Sequence, residues 1–276
     1  MKTILVLTDF SKKAENAAVY ALKIAEKAHA NIILFHSFEK FESVNLPESG
    51  SWVYEDFENV KSESLTELKK LEDYLATHHN PGAFEPEISL TNELGYDLGT
   101  SVNELVKDKN IGLIIMGARS DDTISHVFNG SDANSVLERA PCPVLFVPES
   151  GCFDHFKTIV FANDLKKDYT EALSFLIDIA RIDNSHIILT HFGEYENTVH
   201  KCLNDIKNVL KYPDVTSRLL PLRNIGEQLR EFSTSVHANL LVMIHHKGGG
   251  FENFINGSRS KSMLNKHEAP LLIFPD

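Results

Sequence analysis

The chain has 276 residues, 42% hydrophobic and 24% charged, with a formal net charge of −12. That length favours two domains over one, and the composition is that of a globular protein. The acidic balance disfavours nucleic acid or an anionic membrane as partner, since both call for a basic face, and no apolar run approaches the ~20 residues needed to span a bilayer. The N-terminal MKTILVLTDF is too short in its apolar part for a signal peptide. Three cysteines, Cys142, Cys152 and Cys202, are an odd and sparse set. Together these point to a reducing, cytoplasmic location without a disulfide framework.

In chain order, apolar runs predict strands near residues 2–8, 31–36, 86–91, 112–116 and 143–147. Between them lie helical patterns. Ala17, Ala18, Ala21, Leu22 and Ala25 mark a helix near 14–28; Phe57, Val60, Leu65, Leu68, Leu71 and Leu75 mark one near 55–79. Shorter helices are expected near 98–109 and 131–139. After Met116 come Gly117, a polar loop, and Gly130-Ser131, from which a helical pattern runs to Pro141 and Pro143. A strand, a glycine-flanked loop and a helix N-terminus form an anion-binding geometry: the first helical N–H groups lack partners and carry partial positive charge.

The same unit is written a second time. Lys2 to Asp9 (KTILVLTD) lies on Lys157 to Asp164 (KTIVFAND), and Ile32 to His36 on Ile187 to His191. Further on, Leu113 to Met116 lies on Leu240 to Met243, Gly130-Ser131 on Gly257-Ser258, and Pro143 to Pro148 on Pro270 to Pro275. A period this long means two similar domains rather than a solenoid. We place them at 1–149 and 154–276, joined by the short linker 148–153. Each unit reads β-α-β-α-β-α-β-α-β, so the fold class is α/β with two doubly wound, five-stranded parallel sheets in tandem. The expectation is that the halves superpose about an approximate two-fold axis and that each keeps its own sheet. The first unit is longer by an insertion at 38–54, read either as a flap or domain contact or as a tolerated surface loop.

Gly117, the nine residues Asp121 to Asn129, Gly130-Ser131 and the closing strand APCPVLFV (Ala140 to Val147) resemble the nucleotide-binding loop and last strand of the universal stress protein family. That family's pattern is Gly-x2-Gly-x9-Gly-Ser/Thr. The resemblance implies a Rossmann-like fold, a stress-response binding module rather than a committed enzyme, adenine nucleotide (ATP or AMP) binding in at least some members, and pairing through the last strand. Here Val144–Val147 and Leu271–Phe274 are expected to pair within one chain as an internal pseudo-dimer, with a homodimer as a further expectation. Carried onto this chain, Thr8 and Asp9 become base or ribose contacts, a carboxylate being a sound acceptor for hydroxyl or amine hydrogens. Asp9 alternatively caps the next helix. Asp164 takes the equivalent place in the second unit.

The triphosphate would be held by Gly117, Arg119, Ser120, Gly130, Ser131, Asp132 and Ala133. Two departures stand out. Ser120 replaces a glycine, and Asp132-Ala133 replaces an aliphatic residue and a hydroxyl residue, adding a negative charge and removing a donor. The second unit departs differently. Ile244 and Lys247 stand where loop glycines belong, yet Gly257, Ser258, Arg259, Ser260 and Lys261 survive as a basic, hydroxylated helix start suited to a small anion. Two other classes remain open: slow ATP hydrolysis using Asp9 and Asp132, and a scaffold that has lost nucleotide binding. Thirteen histidines show no His-x3-His spacing and the cysteines no Cys-x2-Cys spacing, so no metal site is expected. His36 and His191 match between units at a strand end, as a shared structural feature or as a site rim. Cys142 reads as a packed thiol.

Overall fold

The computed structural model describes residues 2–38, 51–94, 97–118, 131–150, 153, 155–162, 169–192, 196–221, 225–244 and 269–275; for 51–57 and 196–198 it describes the backbone alone. Strand and helix alternate: β1 (Thr3–Leu7), α1 (Lys12–Ala28), β2 (Asn31–Phe38), α2 (Ser51–His78), β3 (Ile88–Leu94), α3 (Leu98–Lys109), β4 (Leu113–Ala118), α4 (Ser131–Arg139) and β5 (Val144–Pro148). The second half repeats the order as far as its fourth strand, with β6 (Thr158–Ala162), α5 (Thr170–Asp183), β7 (His186–Phe192), α6 (Glu196–Asn204), β8 (Val215–Leu220), α7 (Ile225–Ser235) and β9 (Leu240–Ile244), and β10 (Leu271–Phe274) is the next described element. Helix α6 runs into a π turn, Asp205–Val209.

The central strands are apolar along their whole length because both sheet faces are covered. In β1, Ile4 and Val6 face one core cluster and Leu5 and Leu7 the other. The first cluster lies under α1, α2, α5 and α6, the second under α3, α4 and α7. Helices α1, α3 and α5 end the same way, on a non-glycine residue in the left-handed region: His29, Asn110 and Asn184 have φ of 52°, 53° and 52°. Each donates its N–H back to a carbonyl of the last turn, of Ala25, Val106 and Ala180 respectively. The cap at His29 recurs at Asn184, its partner in the repeat.

The strand order is β3-β2-β1-β4-β5-β10-β9-β6-β7-β8. Within each half all neighbours are parallel. The expected pairing of the last strands is present: β5 and β10 run antiparallel, with Phe146 opposite Leu271, Leu145 opposite Leu272 and Val144 opposite Ile273. The offset that lays Leu113 on Leu240 also lays Leu145 on Leu272. These two residues therefore face their own repeat partner, and the pseudo-two-fold axis passes between them. The expectation of two separate sheets is corrected. A backbone ladder between the closing strands is what makes a sheet continuous, so the pairing and the separation could not both hold, and a single ten-stranded sheet results.

The 38–54 insertion is shorter than the sequence suggests. Phe38 is the buried last residue of β2, and residues 51–54 already belong to α2. The remainder, 39–50, lies outside the described residues. The halves are also tied on the helical side. Lys27 at the end of α1 reaches Asp183 at the end of α5, Nζ to Oδ1 2.6 Å, and Asp183 Oδ2 accepts the Phe156 amide at 2.9 Å. Partial burial works against ionisation of Asp183, but the Lys27 ammonium, the Phe156 amide and His155 outweigh it and hold its pKa below the ordinary 3.8. Around this pair, Tyr20, Phe153 and Phe156 pack edge-on.

Candidate functional site

In the first half, strand order reverses between β1 and β4. The first crossovers move outward to β2 and β3, and the later ones return to β4 and β5 on the other side. Ligands of open α/β sheets bind beyond the carboxyl ends of the strands at such a reversal. Leu7 pairs with Met116 there, so Thr8 and Gly117 follow side by side.

The turn after β1 is built tightly. Thr8 is buried; its amide donates to Phe35 O at 3.0 Å and its hydroxyl accepts the Phe10 amide at 3.0 Å. Phe10 has φ of +58°, a strained conformation for an aromatic residue, held by these bonds and by packing of its ring on His36 at 4.4 Å. Asp9 sits at the apex. Its Oδ1 accepts the Ser11 amide at 3.0 Å and also the Ser11 hydroxyl, and its Oδ2 lies 3.1 Å from Lys13 Nζ. Partial desolvation raises the Asp9 pKa, but Ser11 and Lys13 lower it by more, so the carboxyl is held ionised, below its ordinary 3.8. The side chain is still 56% exposed. Asp9 thus helps order the start of α1 and keeps lone pairs for a ligand hydroxyl.

His36 Nδ1 lies 2.7 Å from the Thr8 carbonyl. A carbonyl only accepts, so Nδ1 carries the hydrogen and Nε2 is left as an acceptor. His36 pins β2 to the turn bearing Asp9. Its repeat partner His191 is buried, but its Nδ1 finds no hydrogen-bond partner among the described residues, and burial pushes its pKa down from 6.5. The pair therefore matches in position and not in bonding.

Gly117 is needed for packing. A Cβ there would lie 2.7 Å from the Lys13 carbonyl oxygen and 3.1 Å from the Ala14 amide, so the first turn of α1 rests directly on β4. Helix α4 begins at Ser131, as the sequence predicts. Ser131 and Asp132 are exposed in its first turn, the Ser131 hydroxyl 3.3 Å from Asp132 Oδ1. Ala133 is turned into the core with Val136 and Leu137, so its side chain does not share the face of Ser131. Helix α4 is locked from behind by α3. Asp97 caps α3, accepting from the Thr100 amide at 2.9 Å, and also takes the Ser135 hydroxyl hydrogen. Ser135 Oγ in turn accepts the Gly99 amide at 3.1 Å. Contact is so close that a Cβ on Gly99 would lie 2.0 Å from the Ser135 carbonyl oxygen. The Ser135 and Thr100 hydrogen bonds hold the Asp97 pKa below its ordinary value.

Of the residues read from the sequence, Thr8, Asp9, Gly117, Ser131, Asp132 and Ala133 are described. Arg119, Ser120, Gly130, Asp164, Gly257, Ser258, Arg259, Ser260 and Lys261 lie outside the described residues. Sequence reasoning missed Lys13, Ser11 and the Asp97–Ser135 lock. The i, i+4 spacing of Asp9 and Lys13 was a usable signal for the first; nothing local links Asp97 to Ser135. Burial pushes the thiols of Cys142 and Cys202 up to about 12, which makes both poor nucleophiles. Among the described residues no helix is long and apolar enough to cross a membrane.

Comparison with known proteins matches this arrangement. The model of the universal stress protein family matches residues 1–148. A universal stress protein of Methanocaldococcus jannaschii is 29% identical over 151 residues, 53% of this chain and 81% of that protein. One from Thermus aquaticus is 30% identical over 152 residues, 53% of this chain and 98% of that protein. The crystal structure of a universal stress protein from Archaeoglobus fulgidus superposes on the whole chain with a TM-score of 0.71 at 13% identity, covering 99% of this chain and 98% of that one. At that identity the superposition speaks for the fold alone, and it extends the likeness through the second half. The family match spans more than half of the chain, over the stretch that contains β1, β4 and α4, and this chain belongs to the universal stress protein family.

Proposed function

We propose that the chain is a stress-response binding protein of the cytoplasm, built of units 1–149 and 154–276, that holds an adenine nucleotide, ATP or AMP, in the first unit. The observation that carries this is the position of Thr8 and Asp9 just beyond β1, beside Gly117 of the neighbouring strand β4 at the reversal of strand order, with α4 the next described helix after β4. Asp9 is ionised and half-exposed, so it can accept from ribose hydroxyls or an adenine amine. The α4 N-terminus offers unpaired N–H groups to phosphate, with Ser131 as a further donor. Arg119, Ser120 and Gly130 would complete the loop. In the second unit, the run Gly257 to Lys261 suits a small anion better than a nucleotide, since Ile244 stands in place of the first glycine, and Asp164 takes the place of Asp9.

Isothermal titration of the purified chain with AMP and ATP tests the first-unit reading, with mass spectrometry of heat-released small molecules beside it. Asp9→Ala should weaken binding at least tenfold, while Asp132→Val should tighten ATP by about a kcal/mol at most, because Asp132 is exposed and solvent screens its charge. Binding that ignores Asp9→Ala, in a variant that melts like the parent, places the ligand elsewhere. No nucleotide bound or released favours the scaffold reading. Magnesium-dependent turnover of ATP would favour the hydrolytic one.

A further inference from the structure

At the amino ends of the outer strands the two halves begin alike and then part. Ile32 N–H donates to Glu87 O at 2.9 Å in the first half, and its repeat partner Ile187 donates to Asp214 O at 3.0 Å in the second. The same repeat lays Asn31 on His186, and the strand registers set Glu87 and Ser89 where Asp214 and Thr216 stand. In the first half Asn31 Oδ1 accepts the Glu87 amide at 3.2 Å, which pins one strand start to the next through the backbone. In the second half the imidazole joins two side chains instead. His186 Nδ1 lies 2.5 Å from Asp214 Oδ1, and His186 Nε2 lies 2.9 Å from Thr216 Oγ1.

A carboxylate only accepts, so Nδ1 carries the hydrogen. In the neutral ring Nε2 is then the acceptor, and Thr216 donates its hydroxyl hydrogen to it. Carboxylate, imidazole and hydroxyl in this order are the parts of an activated nucleophile. The backbone holds them in place. His186 N–H donates to Lys157 O at 2.7 Å, and Val215 N–H donates to Pro213 O at 2.9 Å, closing a tight turn with Asp214 at its centre. A donor for a developing oxyanion follows the hydroxyl directly. Bonding alternates along a parallel ladder, so Thr216 and Arg218 direct their amides to β7 and the Ser217 N–H points outward. The edge is also accessible. In β3 the Asn92 side chain donates to the Lys61 carbonyl of α2 at 2.8 Å, binding that strand to its helix. In β8 four consecutive residues, Thr216 to Leu219, are exposed, and among the described residues β8 pairs with β7 alone.

We propose that Thr216, His186 and Asp214 form a nucleophilic site that cleaves small activated esters through an acyl-threonine. Thr216 Oγ1 attacks the carbonyl carbon while its proton passes to His186 Nε2, and the Ser217 N–H faces the oxyanion. Collapse of the tetrahedral intermediate breaks the bond to the leaving oxygen, which takes the proton back from His186. Water, deprotonated by the same nitrogen, then releases the acid and frees Thr216. Asp214 is a positioning residue: it fixes the tautomer and faces the charge that builds on the ring. The methyl group beside the Thr216 hydroxyl crowds a bulky acyl group, and the open edge favours a leaving group that departs readily, so the class is short acyl esters of acidic alcohols or phenols. The site lies at the opposite ends of the strands from Asp9 and Gly117 and does not rest on nucleotide binding.

The purified full chain and p-nitrophenyl acetate test this. Acid-quenched protein should carry an acetyl group on Thr216, mapped by peptide mass spectrometry. Thr216→Ala should remove that group and the saturable part of nitrophenolate release, and Thr216→Ser should keep both. His186→Asn installs the residue that stands at this place in the first half, so it should melt like the parent and slow acetylation of Thr216 roughly a hundredfold. Asp214→Asn should slow it less, and nitrogen NMR should show the His186 ring leaving the Nδ1-protonated tautomer. Nitrophenolate release unchanged in Thr216→Ala, as direct attack by histidines would give, overturns the proposal. So does acetyl found on lysines with none on Thr216. Acetylation of Thr216 at the parent rate in His186→Asn overturns the role of the imidazole.

Discussion

The two halves share strand order, register and helix caps, yet they differ in how firmly each outer edge is covered. In the first half α2 is a helix of 28 residues whose Leu68, Leu71 and Leu75 are buried against the sheet. In the second half the same crossover is a nine-residue helix and a five-residue π turn, which bury Val199, Cys202 and Ile206. A crossover only has to connect two strands and cover one face, so its length can change while the sheet beneath keeps its register. What changes with it is the outside of the edge strand: β3 is bound into its half, whereas β8 stands open.

The largest expected break in that comparison comes from the covering helices themselves. Leu68→Ala leaves a cavity at a fully buried position under a long helix and should cost about 3 kcal/mol. Val199→Ala should cost roughly 1.5 kcal/mol, since two carbons are removed beneath a short helix that can settle into the gap. Hydrogen exchange should show the first substitution releasing β3 amides and the second releasing β8 amides only. Equal effects on both edges would mean that the two covers are energetically one unit.

A smaller effect is expected where the halves meet. Asp183→Asn removes the charge that Lys27 faces and should destabilise the chain by about 2 kcal/mol near neutral pH. The sign of the pH dependence follows from the lowered pKa. The folded carboxyl ionises more readily than the unfolded one, so its contribution is complete above the ordinary 3.8 and is lost as pH falls through the depressed folded value. Urea melts of parent and variant should therefore converge below about pH 4. A constant gap down to pH 3 would show that the pair's charge is not what holds α1 to α5.

The smallest effect separates the matched histidines. His36→Phe loses the bond to the Thr8 carbonyl and should cost about 1 kcal/mol, loosening the turn that carries Asp9. His191→Phe removes a buried nitrogen that has no partner among the described residues and should be neutral or slightly stabilising. Because burial lowers the His191 pKa, the folded state resists protonation there, and the parent should lose stability as pH falls below 6.5. His191→Phe should flatten that slope in thermal melts.

Much of the architecture was legible in the sequence because a buried parallel strand must be apolar on both faces. The runs ILVL, IILF, LIIM and VLFV marked β1, β2, β4 and β5 directly, and their repetition marked the second half. The edge strands were harder: β3 begins later and runs further than its apolar run suggested, because Asn92 and Glu93 belong to a strand covered on one side only. Around the candidate site, the positions of Asp9 just past β1 and of Ser131 at the start of α4 were readable from the strand and helix patterns. The role of Gly117 was not, since the reason for the glycine is the backbone of Lys13 and Ala14 pressing on it from another element.

By itself the sequence determined which segments are strands and helices, that the unit occurs twice, and which residues stand at strand ends. These depend on local apolar periodicity and on glycine and proline punctuation, which neighbours in the chain decide. Only the tertiary structure decided that the two sheets merge, that Leu145 faces Leu272 on the symmetry axis, that Ala133 turns inward beside an outward Ser131, and that His36 is bonded while His191 is not. Each of these depends on which distant surface lies opposite. Backbone hydrogen bonds and burial are satisfied between segments far apart in the chain, and a linear pattern carries no record of that choice.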